Sequence, residues 1–232
     1  MSETARDEML ARIKRALKRD DQSSSLRSEG NSAQQVFNKD EQHSDLIKRF
    51  ELELTRIGGR FHIARTADAV CDYIENLISI KQTKTVIGWN APVISEIGLS
   101  EQLERSGVEF ISNDDKLSET EFINTAIGAG IGITAVDYAL ADTGTLVLIT
   151  GAGRARSVSL LPPIHVAILK PEQIIAGLNE LIPHLNTSAG RDLASAVTFI
   201  TGPSRTADIE LTLVVGVHGP QELHVVLFDS RE

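Results

Sequence analysis

Two short loops carry side chains suited to holding an anion. The first is T-G-A-G-R-A-R-S-V-S, residues 150–159. Gly151 and Gly153 let a backbone approach closely. Arg154 and Arg156 present planar guanidinium forks that match a carboxylate or a phosphate. Ser157 and Ser159 add hydroxyl donors. The competing reading is a surface loop whose arginines pair with neighbouring carboxylates. The second loop is T-G-P-S-R-T-A-D-I-E, residues 201–210, directly after the apolar run A-V-T-F-I. Gly202 frees the backbone, and Pro203 fixes a turn. Ser204 is placed to cap a helix beginning at Arg205. The free amides of that helix start would face an anion, with Arg205 and Thr206 beside it. Asp208 would support the first turn through the helix dipole. Ligands of open α/β sheets bind beyond the carboxyl ends of strands, and this loop reads as such an end.

Candidate acid–base groups are fewer. Asp137 and Asp142 bracket an expected hairpin. If they face one another, like-charge proximity raises one pKa. Asp142 also reads as a turn former beside Thr143 and Gly144. Asp137 lies within an apolar run, where a carboxylate needs partners. His218, in V-V-G-V-H-G-P, sits in a loop that leaves its imidazole accessible. His165 and His224 fall in strand patterns and read as packed or hydrogen-bonded. None of the six histidines has metal-ligand spacing. G-I-G-I-T-A, from Gly130 to Ala135, fits a dinucleotide fingerprint only formally. It follows a helical pattern and opens a strand-like one, the reverse of what that motif needs. Neither a P-loop nor a nucleophile elbow is present. Cys71 lies on an apolar helical face and reads as a core thiol.

The chain that must position these groups has 232 residues, 41% of them apolar and 24% charged. That is enough to bury a core. A net charge of −9 argues against nucleic-acid binding. The one cysteine is too few for an iron–sulfur cluster held by about four thiolates. No apolar run approaches the roughly 18 residues that span a bilayer. The N-terminus lacks an apolar signal core, so a cytoplasmic protein is the expectation.

Residues 1–43 read as an arm: a helix over residues 4–19, then a polar, serine-rich linker. Residues 44–232 read as one α/β domain. Ser44 is expected to cap a helix that ends at Gly58-Gly59. Strand and helix patterns then alternate: R-F-H-I-A, a helix over 66–80, T-V-I-G-W, a helix over 100–105, V-E-F-I, and a helix over 119–129. This alternation is the mark of a layered fold with a largely parallel sheet. The run from Gly132 to Thr150 reads as two strands joined tightly through A-D-T-G, an antiparallel hairpin insertion. P-P-I-H-V-A-I-L-K resumes the strand pattern. A helix is expected over 171–185, started by Pro171. A-V-T-F-I-T and L-H-V-V-L-F are the last strands.

The residues that carry a family resemblance are now in view. T-G-P-S-R-T-A-D-I-E, followed by V-V-G-V-H-G-P and L-H-V-V-L, closely resembles the C-terminal signature of the lactate-utilisation protein C family, which carries a LUD domain. V-D-Y-A-L-A-D-T-G-T-L and R-S-V-S-L-L-P-P are similar to it as well. The resemblance spans nearly the whole chain. It implies a three-layer α/β/α sandwich with a mostly parallel sheet, like the sugar-phosphate isomerase and coenzyme A-transferase superfamily, plus an N-terminal helical arm. It also implies a part in oxidising L-lactate to pyruvate beside an iron–sulfur protein and a cysteine-rich protein. The clusters would sit in those partners, with no cofactor on this chain. The resemblance assigns no catalytic residue. Two other readings stay open: a stand-alone transferase- or isomerase-like enzyme for a phosphorylated or coenzyme A-linked ligand, and a sensing or assembly module. Self-association into a homo-oligomer is open too.

Overall fold

A computed structural model describes residues 39–112, 117–188, 196–207, 213–216 and 218–231. The helix expected over residues 4–19, the stretch 20–38, Asp208 and Glu210 lie outside them.

The first described helix, α1 (Lys39–Arg56), begins ahead of Ser44, which therefore lies inside it and is not its cap. Phe50 and Leu54 are four residues apart and both fully buried, so one stripe of this helix faces the core. Strand β1 (Arg60–Ala64) leads to α2 (Ala67–Lys81). The Thr66 hydroxyl accepts from the Ala69 amide at 3.2 Å and caps α2. Val70, Cys71, Ile74, Leu77 and Ile78 form its buried stripe. The Cys71 thiol donates to the Ile97 carbonyl, and burial pushes its pKa up to about 11. It is the core thiol that its position implied.

The chain continues through β2 (Thr85–Gly88), α3 (Pro92–Glu96), α4 (Leu99–Arg105), β3 (Glu109–Ser112), α5 (Glu119–Gly128) and β4 (Ile131–Ala135). Ser118 and Glu121 close a capping box at the start of α5. After a second group of elements come β7 (Ile164–Leu169) and β12 (Glu222–Phe228). Six strands form one sheet in the order β1-β12-β7-β4-β2-β3. Every pairing in it is parallel. Its central strands β4 and β7 are buried at every residue, as a parallel sheet covered on both faces requires. The layered α/β fold is the one the alternation implied.

The second group is a smaller sheet. Strands β5 (Tyr138–Leu140), β6 (Thr145–Ile149), β8 (Ile174–Ile175) and β9 (Val197–Ile200) pair in the order β8-β5-β6-β9. The β5–β6 hairpin is antiparallel, as expected. The apolar run before it, however, is two strands rather than one. It leaves the large sheet after Ala135 and enters the small one at Tyr138, with Asp137 at the crossing. Gly144 closes the hairpin turn with φ +63°, and a Cβ there would lie 2.3 Å from the Leu54 amide nitrogen. The turn is thus pressed on α1, and only glycine suits it.

The helix expected over 171–185 resolves differently. A 3-10 turn (Pro171–Gln173) and β8 come first, and α7 (Leu178–Ser188) follows. Pairing with β5 claims Ile174 and Ile175, near the start of that segment, and the helix follows as expected from Leu178. Between β6 and β7 lies one helical turn, α6 (Ser157–Leu160).

Candidate functional site

The order of the large sheet reverses at β2. The chain steps from β2 out to β3, then returns past β2 to β4 and continues to β7 and β12. Connections on either side of such a point diverge, and a crevice opens beyond the carboxyl ends of the two strands. Here the crevice holds about 280 Å³. Asn90 follows β2, Asp137 follows β4, Lys170 follows β7, and Arg154 enters from the loop before α6.

Each group is held by neighbours. Arg154 Nη2 donates to Asp137 Oδ2 at 2.6 Å, and the Ile149 amide donates to the same oxygen at 2.7 Å. The guanidinium lies 4.4 Å from the Trp89 ring centroid, a cation–π stack. The Trp89 indole donates to the Ala155 carbonyl at 2.8 Å, and the Asn90 amide to the Gly153 carbonyl at 3.0 Å. The arginine loop is therefore fastened to the end of β2. Arg154 Nε is buried without a partner among the described residues. Across the crevice, Lys170 Nζ lies 2.6 Å from Glu96 Oε2. Gln173 accepts from the Lys170 amide at 2.6 Å and donates to the Val136 carbonyl, tying the ends of β4 and β7 together. Two cations and two carboxylates thus share one small space. Such a site matches a ligand that carries a carboxylate beside a hydroxyl donor.

A second cavity, of about 220 Å³, lies at the amino ends of β7 and β12, next to β9. Ser159, Gly202, Ser204 and His218 line it, with Phe199 and Leu160. His165 closes its buried side. One ring nitrogen, Nε2, pairs with the Thr134 hydroxyl at 2.9 Å, while Nδ1 has no partner among the described residues. Burial drives the His165 pKa down to about 3, so the ring is neutral. His224 is also buried, between the Tyr73 hydroxyl at 2.8 Å and Glu222 at 3.2 Å, and burial lowers its pKa. Both histidines are packed and hydrogen-bonded, as their strand positions implied.

A family model described as the LUD domain matches residues 47–228. The chain belongs to the LUD domain family. It is 39% identical over 160 residues to a lactate utilization protein C from Halalkalibacterium halodurans, covering 68% of this chain and 68% of that protein. Against a protein of the same name from Anoxybacillus flavithermus, identity is 30% over 223 residues, 96% of this chain and 98% of the relative. An uncharacterized Escherichia coli protein, YkgG, is 38% identical over 129 residues, 55% of each chain. Among solved structures, a DUF162 family protein from Deinococcus radiodurans superposes with a TM-score of 0.58 at 19% identity, over 80% of this chain and 98% of that one. At that identity the likeness speaks for the fold.

In this LUD domain some of the residues picked from sequence fall in one or the other of the two cavities, and the rest in neither. Asp137 and Arg154 meet in the crevice; Ser159, Gly202, Ser204 and His218 meet in the other cavity. Gly151, Gly153, Arg156, Ser157, Asp142, Arg205 and Thr206 line neither. Arg156 is exposed beside α6. Asp137 and Asp142 sit at opposite ends of β5 and do not form a pair. Asp142 is an exposed turn residue whose carboxylate rests on Gly177, the structural role its sequence allowed.

The helix expected at Arg205 is instead strand β10 (Arg205–Ala207), paired antiparallel with β11 (Leu213–Val215). No helix begins there for the Ser204 hydroxyl to cap, and the Ser204 amide is spent on the Pro220 carbonyl at 2.9 Å, so it does not face an anion. Arg205 donates to the Ile57 carbonyl. The preceding strand β9 also belongs to the small sheet, where it pairs antiparallel with β6, so this loop is not a parallel strand's ligand-binding end. Asn90, Glu96, Lys170 and Gln173 escaped sequence reasoning. Their only signal was position: each lies just beyond an apolar strand or its following turn. That signal becomes useful once β2, β4 and β7 are known to be neighbours.

Among the described residues, no group of three or more histidine, cysteine or acidic side chains could hold a metal ion. No described helix is long and apolar enough to cross a membrane.

Proposed function

We propose that this chain serves lactate utilisation by binding a short 2-hydroxy carboxylate in the strand-end crevice, and that iron–sulfur partner proteins carry the electrons. The observation that carries the reading is the convergence of Arg154 and Lys170 with their paired carboxylates at the sheet's reversal point. The ligand carboxylate sits between the two cations, and its hydroxyl donates to Asp137 or Glu96. The relatives named lactate utilization protein C point to the same substrate class. One cysteine in the whole chain favours electron transfer in other subunits.

Calorimetric titration of the full chain with L-lactate, pyruvate and propionate tests this. L-lactate should bind at least about tenfold more tightly than propionate, which lacks the hydroxyl and leaves an acceptor unpaired. Arg154→Met should abolish the lactate heat. Equal affinity for lactate and propionate, no lactate binding by the unaltered chain, or undiminished binding by Arg154→Met would each remove the reading.

A further inference from the structure

The cavity lined by Phe199 differs in kind from the crevice. Among the described residues, no lysine, arginine, aspartate or glutamate lines it. A charged ligand would lose its hydration there with no counter-charge to replace it. Its walls are apolar: Leu160, Phe199, Pro203, Pro220 and Leu223. Phe199 is 47% exposed on the edge strand β9, an aromatic face left open at the cavity's border. Its polar groups are hydroxyls and imidazoles: Ser204, His218, and His165 with its partnerless, buried Nδ1. An apolar wall with a few convergent polar groups is the usual make-up of a small-molecule site. A volume of about 220 Å³ suits a single ring rather than a drug-sized ligand.

We infer that this cavity is a second ligand site, which takes a small uncharged molecule with an aromatic ring and one hydroxyl or carbonyl oxygen. The ring packs on Phe199 and the prolines, and the oxygen meets the hydroxyl and imidazole groups. The site lies at the amino ends of β7 and β12, whereas the crevice lies at carboxyl ends, so the inference stands independently of lactate binding.

Benzyl alcohol and benzoate share a ring and differ in charge. Titrations of the full chain with each, followed through backbone amide resonances, test the site. Benzyl alcohol should shift the amides of Ser159, Gly202, Ser204 and Gly219, and benzoate should bind at least about tenfold more weakly. Leu160→Trp, at an exposed position on the lining, should weaken benzyl alcohol at least about fivefold. Saturating L-lactate should leave benzyl alcohol binding unchanged. Benzoate binding as tightly as the alcohol, shifts absent from those four amides, or an indifferent Leu160→Trp variant would overturn the inference.

Discussion

The crevice and the cavity are built from opposite materials. In the crevice, two ion pairs at 2.6 Å hold the ends of three parallel strands, and the aromatic contact is a stack beneath a guanidinium. In the cavity, the edge strand β9 and a proline-bounded loop surround a neutral histidine. The difference follows from where each lies. Ends of parallel strands expose carbonyls and diverging loops, which favour polar recognition. A gap between two sheets inherits the apolar faces of both. One fold therefore holds a crevice lined by charges and a cavity with no charged lining among the described residues, and each should answer to different perturbations.

The largest effect is expected from Asp137→Ala. It strands the half-buried Arg154 charge and the Ile149 amide together. Chemical denaturation should show a loss of about 2–3 kcal/mol. Benzyl alcohol affinity should change by less than about twofold, because the two sites share no partner. A parallel loss at both sites would merge them into one.

Acid should strike the cavity instead. The folded His165 pKa is about 3, well below its ordinary value. Between those two values the unfolded chain binds a proton that the native chain refuses. Stability contributed by this group is complete above about pH 6.5 and falls as pH drops, by about 1.4 kcal/mol per unit, or about 2 kcal/mol by pH 5. His224, also depressed by burial, acts in the same direction. His165→Gln should flatten the slope by about one proton when unfolding is measured from pH 6.5 to 4.5. An unchanged slope would mean that His165 is not the buried neutral base.

Smaller effects separate the ligands. Lys170→Met should weaken L-lactate about tenfold, and raising salt should weaken it in the unaltered chain as well. Benzyl alcohol should ignore both changes. Salt-insensitive lactate binding would take away the crevice's electrostatic character. Smallest of all, Arg205→Ala removes an exposed bond to the Ile57 carbonyl. It should cost less than about 1 kcal/mol in thermal unfolding and leave both ligands unaffected. A loss of lactate binding there would return the T-G-P-S-R loop to the carboxylate site.

How much of this was legible in advance depends on the reach of each signal. Periodicity is local, so α2 with its buried stripe, the helix α5 and the fully buried β7 followed from runs of neighbouring residues, whereas β4 and β5 read as one apolar run. The Asp142 turn and the Cys71 thiol followed as well. The pairing of Arg154 with a carboxylate was one of its two readings, and the structure supplies that carboxylate as Asp137. The Ser204 cap failed because a strand partner outcompeted a helix that had only a cap to recommend it. In the segment 171–185 only the start of the helix differs, since β5 claims Ile174 and Ile175 and the helix begins at Leu178.

What the amino-acid order determined by itself is the set of elements whose burial follows a repeating pattern, along with the acidic, single-cysteine character of the chain. Tertiary structure alone decided that Asp137 marks the crossing between two sheets, that Asn90 and Lys170 face one crevice, and that Ser159 and His218 share a cavity. Apolar periodicity specifies which face of an element turns inward, yet it is silent on which strands become neighbours. Polar residues at strand ends acquire their meaning only from that adjacency.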